Sequence, residues 1–130
     1  MPHISPYAAK GVYDPPIYAQ AVKVEGAQTL LYIAGQVDYD AEGHCAHPGD
    51  FAAQAKAVLA MLKAQVEAGG GTMASIVKVN TYVTDMRYRA DYGPIRSAFF
   101  GPKMPAHTLV AVSALAFPEF LIEVEAVAVI

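Results

Sequence analysis

Two residues in apolar strand-like runs carry the chemistry most open to use in this sequence, a histidine and a glutamate. His107 stands in Met104-Pro105-Ala106-His107-Thr108, where a β-rich run follows a proline. A neutral imidazole offers one donor, a protonated one offers two divergent donors, and the group exchanges a proton near neutral pH. His107 could therefore act as acid, base or ligand anchor, or be a half-buried strand residue with its hydrogen bond satisfied inside the fold. Glu123 and Glu125 stand two apart in an otherwise apolar run, so a strand aims both at the same face. Apolar neighbours, Leu121-Ile122 before and Ala126 to Ile130 after, predict partial burial. Desolvation raises a carboxyl pKa toward the range in which it can give or take a proton near neutral pH.

Other clusters carry weaker signals. His44, Cys45 and His47 are metal-ligand residue types, but all three fall in one loop, whereas a zinc site needs three or four convergent ligands. No metal is expected there. Cys45 has no activator visible in the sequence and reads as an ordinary thiol. Gly69-Gly70-Gly71 follows a helix and lacks the Gly-Lys-Ser/Thr ending of a phosphate loop, so it reads as a turn.

The composition bounds what these residues can belong to. At 130 residues the chain is read as one domain, 1–130, large enough for a core without metal or disulfide staples. Hydrophobic residues make up 55% and charged ones 16%, against roughly 25% charged on average, which points to a subunit interface. Nine Lys and Arg, scattered in a chain of net charge −3, argue against a nucleic-acid partner. No membrane partner is expected, because no apolar run reaches the ~18 residues of a spanning helix, and residues 1–10 lack the pattern of a signal peptide. A single cysteine suits a reducing cytoplasm, the expected location.

The elements that must position the site follow from periodicity. Residues 1–16, with Pro2, Pro6, Pro15 and Pro16, are expected to be an irregular arm. Ile17–Val24 and Gln28–Ala34 read as strands flanking Glu25-Gly26-Ala27, a hairpin signal. Phe51, Ala55, Val58, Leu59, Leu62 and Val66 form one helical stripe, with Asp50 as N-cap and Gly69-Gly70-Gly71 as terminator. Ile76–Thr84 reads as a strand with Val77, Val79, Thr81 and Val83 on one face. A shorter helix is placed from about Asp91, so that Pro94 falls in its first turn, and Gly101-Pro102 stops it. His107–Ser113 and Leu121–Ile130 are the last strands. This order predicts an α+β fold, a single sheet with two helices packed on one face.

Several blocks, in order, carry a resemblance: Ile17-Tyr18-Ala19-Gln20-Ala21-Val22, Tyr32-Ile33-Ala34-Gly35-Gln36, and Gln54 with its helix. Val77 to Asp85, Ala98-Phe99-Phe100 and Ile122 to Ala128 continue it. Over nearly the whole chain these are similar to the reactive-intermediate deaminases, the RidA family. The resemblance implies a chorismate-mutase-like fold and a homotrimer with ligand clefts between subunits. It places His107 where the family has an arginine that grips a substrate carboxylate, with Ala106 just before it. A guanidinium offers a rigid fork for a carboxylate that one imidazole cannot reproduce, so a ligand less dependent on a carboxylate is expected. Glu123 aligns with the glutamate that orients the attacking water, and Glu125 is read as structural. Tyr18 aligns with a tyrosine at the cleft mouth, and Gly35-Gln36 with a turn whose backbone approaches the ligand. Ala34 stands where many relatives have serine, and Gly93 near where they have asparagine.

The function implied is cofactor-free hydrolysis of a small enamine or imine to a carbonyl compound and ammonia. Glu123 and His107 are the expected catalytic residues, and Tyr18, Ala34, Gly35, Gln36, Gly93 and Ala106 the expected substrate contacts. Two alternatives stay open: a non-catalytic trimer that binds a small molecule, and a ribonuclease, an activity attached to some family members.

Overall fold

A computed structural model describes residues 1–130. Helix α1, Phe51–Ala68, begins where the Asp50 side chain accepts a hydrogen bond of 3.0 Å from the Ala53 N–H. It ends on Gly70, whose φ of 96° is open to glycine; the Gly71 N–H then reaches the Val66 carbonyl at 2.9 Å and the Gly70 N–H that of Glu67. The buried stripe of α1 is Phe51, Gln54, Ala55, Val58, Leu59, Leu62 and Val66.

The strands are β1 (His3–Tyr7), β2 (Ala21–Glu25), β3 (Leu30–Gln36), β4 (Ile76–Val83), β5 (Ala106–Ala111) and β6 (Ile122–Val129); α2 is Arg89–Phe100. Four of them form a sheet in the order β3-β6-β4-β5, with β4 and β5 parallel and the other pairs antiparallel. The two helices contact each other, and α1 packs on β6 and β3. The buried side chains Val79, Thr81 and Val83 of β4 and Ile122, Val124, Ala126 and Ala128 of β6 form the core beneath the helices. The fold is α+β, two helices on one face of a mixed sheet, and neither helix is long and apolar enough to cross a membrane.

Four local expectations are corrected. His3–Tyr7 is a strand despite Pro6, pairing with β2 as a separate two-stranded sheet, an edge position where proline is tolerated. The Glu25-Gly26-Ala27 turn does not make a hairpin: β2 pairs with β1, while β3 crosses to β6. A register shift between Ile76 and Lys78 brings Ile76 into the core and leaves Val77 only half-buried. Helix α2 starts at Arg89, so Pro94 lies inside it; Asp85 caps the preceding turn by accepting from the Arg87 N–H at 2.9 Å, which moves the start earlier.

Candidate functional site

The Ala19 N–H donates to the Pro105 carbonyl at 3.1 Å and Ala19 bridges to Ala106, which brings Tyr18 alongside His107. In β5, His107 lies opposite Val79 and is 9% exposed, on the helix side of the sheet. Its Nδ1 is 3.1 Å from Nη1 of Arg96 on α2, and its Nε2 is 2.8 Å from Oγ1 of Thr81. A guanidinium can only donate, so Nδ1 accepts and the proton is assigned to Nε2, which donates to Thr81. Thr81 Oγ1 in turn lies 3.1 Å from the buried Tyr92 hydroxyl. Burial first, then the charges of Arg96 and Lys78, push the His107 pKa down to about 4. The imidazole is therefore neutral at physiological pH, with both nitrogens engaged.

A cleft of about 510 Å³ opens here, lined by Tyr18, Arg89, Gly93, Arg96, His107 and Thr108 among others, with no Asp or Glu in its wall. Arg96 is 7% exposed and sits 5.7 Å from the centre of the Tyr92 ring. Its Nε is buried without a hydrogen-bond partner. Burial pulls the Arg96 pKa down, but a guanidinium stays charged in any accessible pH range.

Glu123 belongs to a second cluster. It lies opposite Tyr82, and its carboxylate packs so closely on Gly35 that a Cβ at that position would collide with it. Burial, and then Glu125, raise the Glu123 pKa. Ala34 and Gly35 occupy the register shift between β3 and β6, and the Gln36 side chain folds back to the Ala34 carbonyl at 2.9 Å. Glu125 accepts a hydrogen bond of 2.5 Å from the Tyr82 hydroxyl.

Strand register separates the two clusters. Val79, opposite His107, faces the helices, while Tyr82, opposite Glu123, is on the alternate face. Tyr18, Gly93 and His107 are brought together on the helix side; Gly35 and Glu123 meet on the other. Ala106 pairs with Lys78, so its methyl points away from His107 and it serves the site through its bridge to Ala19. The loop histidine His47 is held by Asp38, Nδ1 to Oδ2 2.9 Å, and the buried Gln54 amide donates to the carbonyls of His47 and Glu119.

Sequence reasoning missed Arg89, Thr81, Tyr92 and Arg96. Arg89, Gly93 and Arg96 fall at i, i+4 and i+7, one helix face, but starting α2 at Asp91 left Arg89 outside it.

Residues 14–130 match the family model described as endoribonuclease L-PSP. A RutC family protein of Pyrococcus horikoshii is 37% identical over 111 residues, covering 85% of each chain. The crystal structure of a protein of the conserved Rid family from Yersinia pestis superposes with a TM-score of 0.86, at 32% identity over 98% of both chains. The crystal structure of RidA from an Antarctic Psychrobacter gives a TM-score of 0.71, at 34% identity over 96% of this chain and 94% of that one.

Proposed function

The chain belongs to the endoribonuclease L-PSP family, with RutC and Rid proteins among its relatives, and from that premise we propose that it is an imine deaminase. The substrate is a small enamine or imine. An enamine tautomerises to the imine, water adds to the C=N carbon, and the carbinolamine collapses to a carbonyl compound and ammonia. Catalysis requires a positioned water and one group that takes a proton from it and delivers that proton to nitrogen. We assign this work to Glu123. Its half-buried carboxyl, with a pKa displaced upward against Gly35, is the observation that carries the reading. His107 does not fit a proton-transfer role, because its pKa of about 4 and its two hydrogen bonds keep it neutral and occupied.

The same reading requires a second copy of the chain. Glu123 and His107 lie on opposite faces of one sheet, so a site using both is assembled between subunits. The sheet face away from the helices, with Tyr32 77% and Val110 41% exposed, supplies apolar surface for a trimer. The cytoplasm is the compartment proposed, where the free thiol Cys45 stays reduced.

Ammonia release from a panel of freshly generated imines and enamines tests the assignment. Glu123→Gln keeps volume and should lower turnover by roughly 10²–10⁴-fold, the usual scale for an acid–base group. No ammonia from any member of the panel would leave a non-catalytic binding trimer, a reading favoured by the internal engagement of His107. The endoribonuclease name of the family supplies a third reading, to which the net charge of −3 is opposed; RNA binding that survives moderate salt would revive it.

A further inference from the structure

Arg96 is a buried cation without an anion. None of the ion pairs in the chain includes it. Its polar contact is His107 Nδ1, its Nε has no partner, and the Tyr92 ring flanks it. Buried charges are normally paired, and a buried donor left unmade is costly. Arg96, whose charge no anion of the chain compensates, lines the wall of an open cleft. A ligand anion is the partner that compensates it.

We propose that Arg96, held by His107, is the anion anchor of this cleft, and that Arg89 at the rim fits the cleft to a small dicarboxylate. The inference rests on the cleft being the substrate site of the deaminase described above. His107 is a positioning residue: as a neutral acceptor it orients the guanidinium without neutralising it. An aspartate in its place would form an internal ion pair and discharge the anchor. Arg89 and Arg96 are two helical turns apart, a rise of about 10 Å, on one face of α2. Gly93 lies between them with nothing within 4 Å of where a Cβ would stand, so the floor between the two cations is open. The chain's own wall of the cleft carries no acidic side chain, so one carboxylate on Arg96 leaves Arg89 without an anion from this chain. A second carboxylate completes the match. The guanidinium expected on the strand at position 107 is thus supplied from the helix, and dependence on a carboxylate is kept rather than relaxed.

Calorimetric titration of the intact protein with succinate, butyrate and neutral succinamide tests this by binding alone. Succinate should bind about 10-fold or more tighter than butyrate, and succinamide should not bind. Arg96→Gln should weaken both acids by about 10–100-fold, the scale of hydrogen bonds to charged groups. Arg96→Lys, which keeps a cation and guards against a folding artefact, should recover part of that loss. Arg89→Gln should bring succinate down to the affinity of butyrate and leave butyrate unchanged. His107→Leu should weaken both acids, and His107→Asn, which can still accept from Arg96, should restore most of the binding. A purely structural role for His107 predicts no such difference between folded variants. Equal affinity of the wild type for succinate and butyrate, no binding of either, or an Arg96→Gln variant that binds normally would each overturn the proposal. Acid binding as described without ammonia release from any imine would support the anchor and defeat the deaminase.

Discussion

Nη1 of Arg96 lies 3.1 Å from Nδ1 of His107, so an imidazole on a strand holds a guanidinium from a helix at the wall of the cleft. That contact fixes the tautomer of His107, sets its donation to Thr81, and adds to the larger effect of burial in lowering its proton affinity. One pair thereby decides both what His107 cannot do and where the positive charge of the site resides.

The first prediction concerns pH and stability. The His107 pKa is about 4 in the folded chain against 6.5 for the free side chain. Below pH 6.5 the unfolded chain takes up a proton that the folded chain refuses. Stability from this residue is therefore full above pH 6.5 and lost as pH falls toward 4, by about 3 kcal/mol in all. Urea unfolding at pH 7.5 and pH 4.5 should show a smaller acid loss in His107→Gln than in wild type. Equal losses would mean the imidazole is not buried as a neutral acceptor.

How much of this was legible in the sequence depends on the range of the interactions. The α1 stripe, the Asp50 cap and the glycine terminator are local, and the structure repeats them. The pairing of β2 with β1 rather than β3 is long-range, and the turn signal at Gly26 concealed it. Glu123 and Glu125 share a face as period two requires. The burial of Arg96 was invisible, because an arginine in a helix reads as a solvated charge until tertiary contacts bury it. His107 and Glu123 were legible as residues, but their placement on opposite sheet faces follows only from register across three strands.

The close approach of Gly35 to Glu123 gives a second prediction. A methyl at Gly35 would collide with the Glu123 carboxylate, so Gly35→Ala must displace that side chain. Both positions are off the helical core, and the midpoint of unfolding should move little. Turnover should fall by about 10²-fold, the scale of a misplaced reacting group. Normal ammonia release by Gly35→Ala would remove Glu123 from the reaction.

A third prediction concerns assembly. Because the two halves of the proposed site lie on opposite faces of the sheet, a lone chain cannot complete it. Light scattering at micromolar concentration should give three times the 13.8 kDa chain mass. Tyr32→Asp should place a charge on the exposed apolar face, dissociate the assembly and abolish turnover together. A monomeric and fully active protein would sink the intersubunit site.

The last prediction joins His107 to Arg96. The resemblance places an arginine at position 107, but in this structure Nη1 of Arg96 already lies 3.1 Å from the imidazole there. His107→Arg alone would set two guanidinium groups against each other in a poorly solvated wall, where neither can neutralise the other. It should destabilise the fold and bind carboxylates no better than wild type. Adding Arg96→Asn removes the repulsion and offers an amide oxygen to the new arginine. The double variant should recover stability and accept imines bearing a single carboxylate, since its fork now stands on the strand. Thermal unfolding and ammonia release measured on both variants check the argument. If the single variant is as stable as wild type and as active as the double, the two positions are independent. Arg96 would then be a packed helix residue, and the charge at the site would have to come from elsewhere.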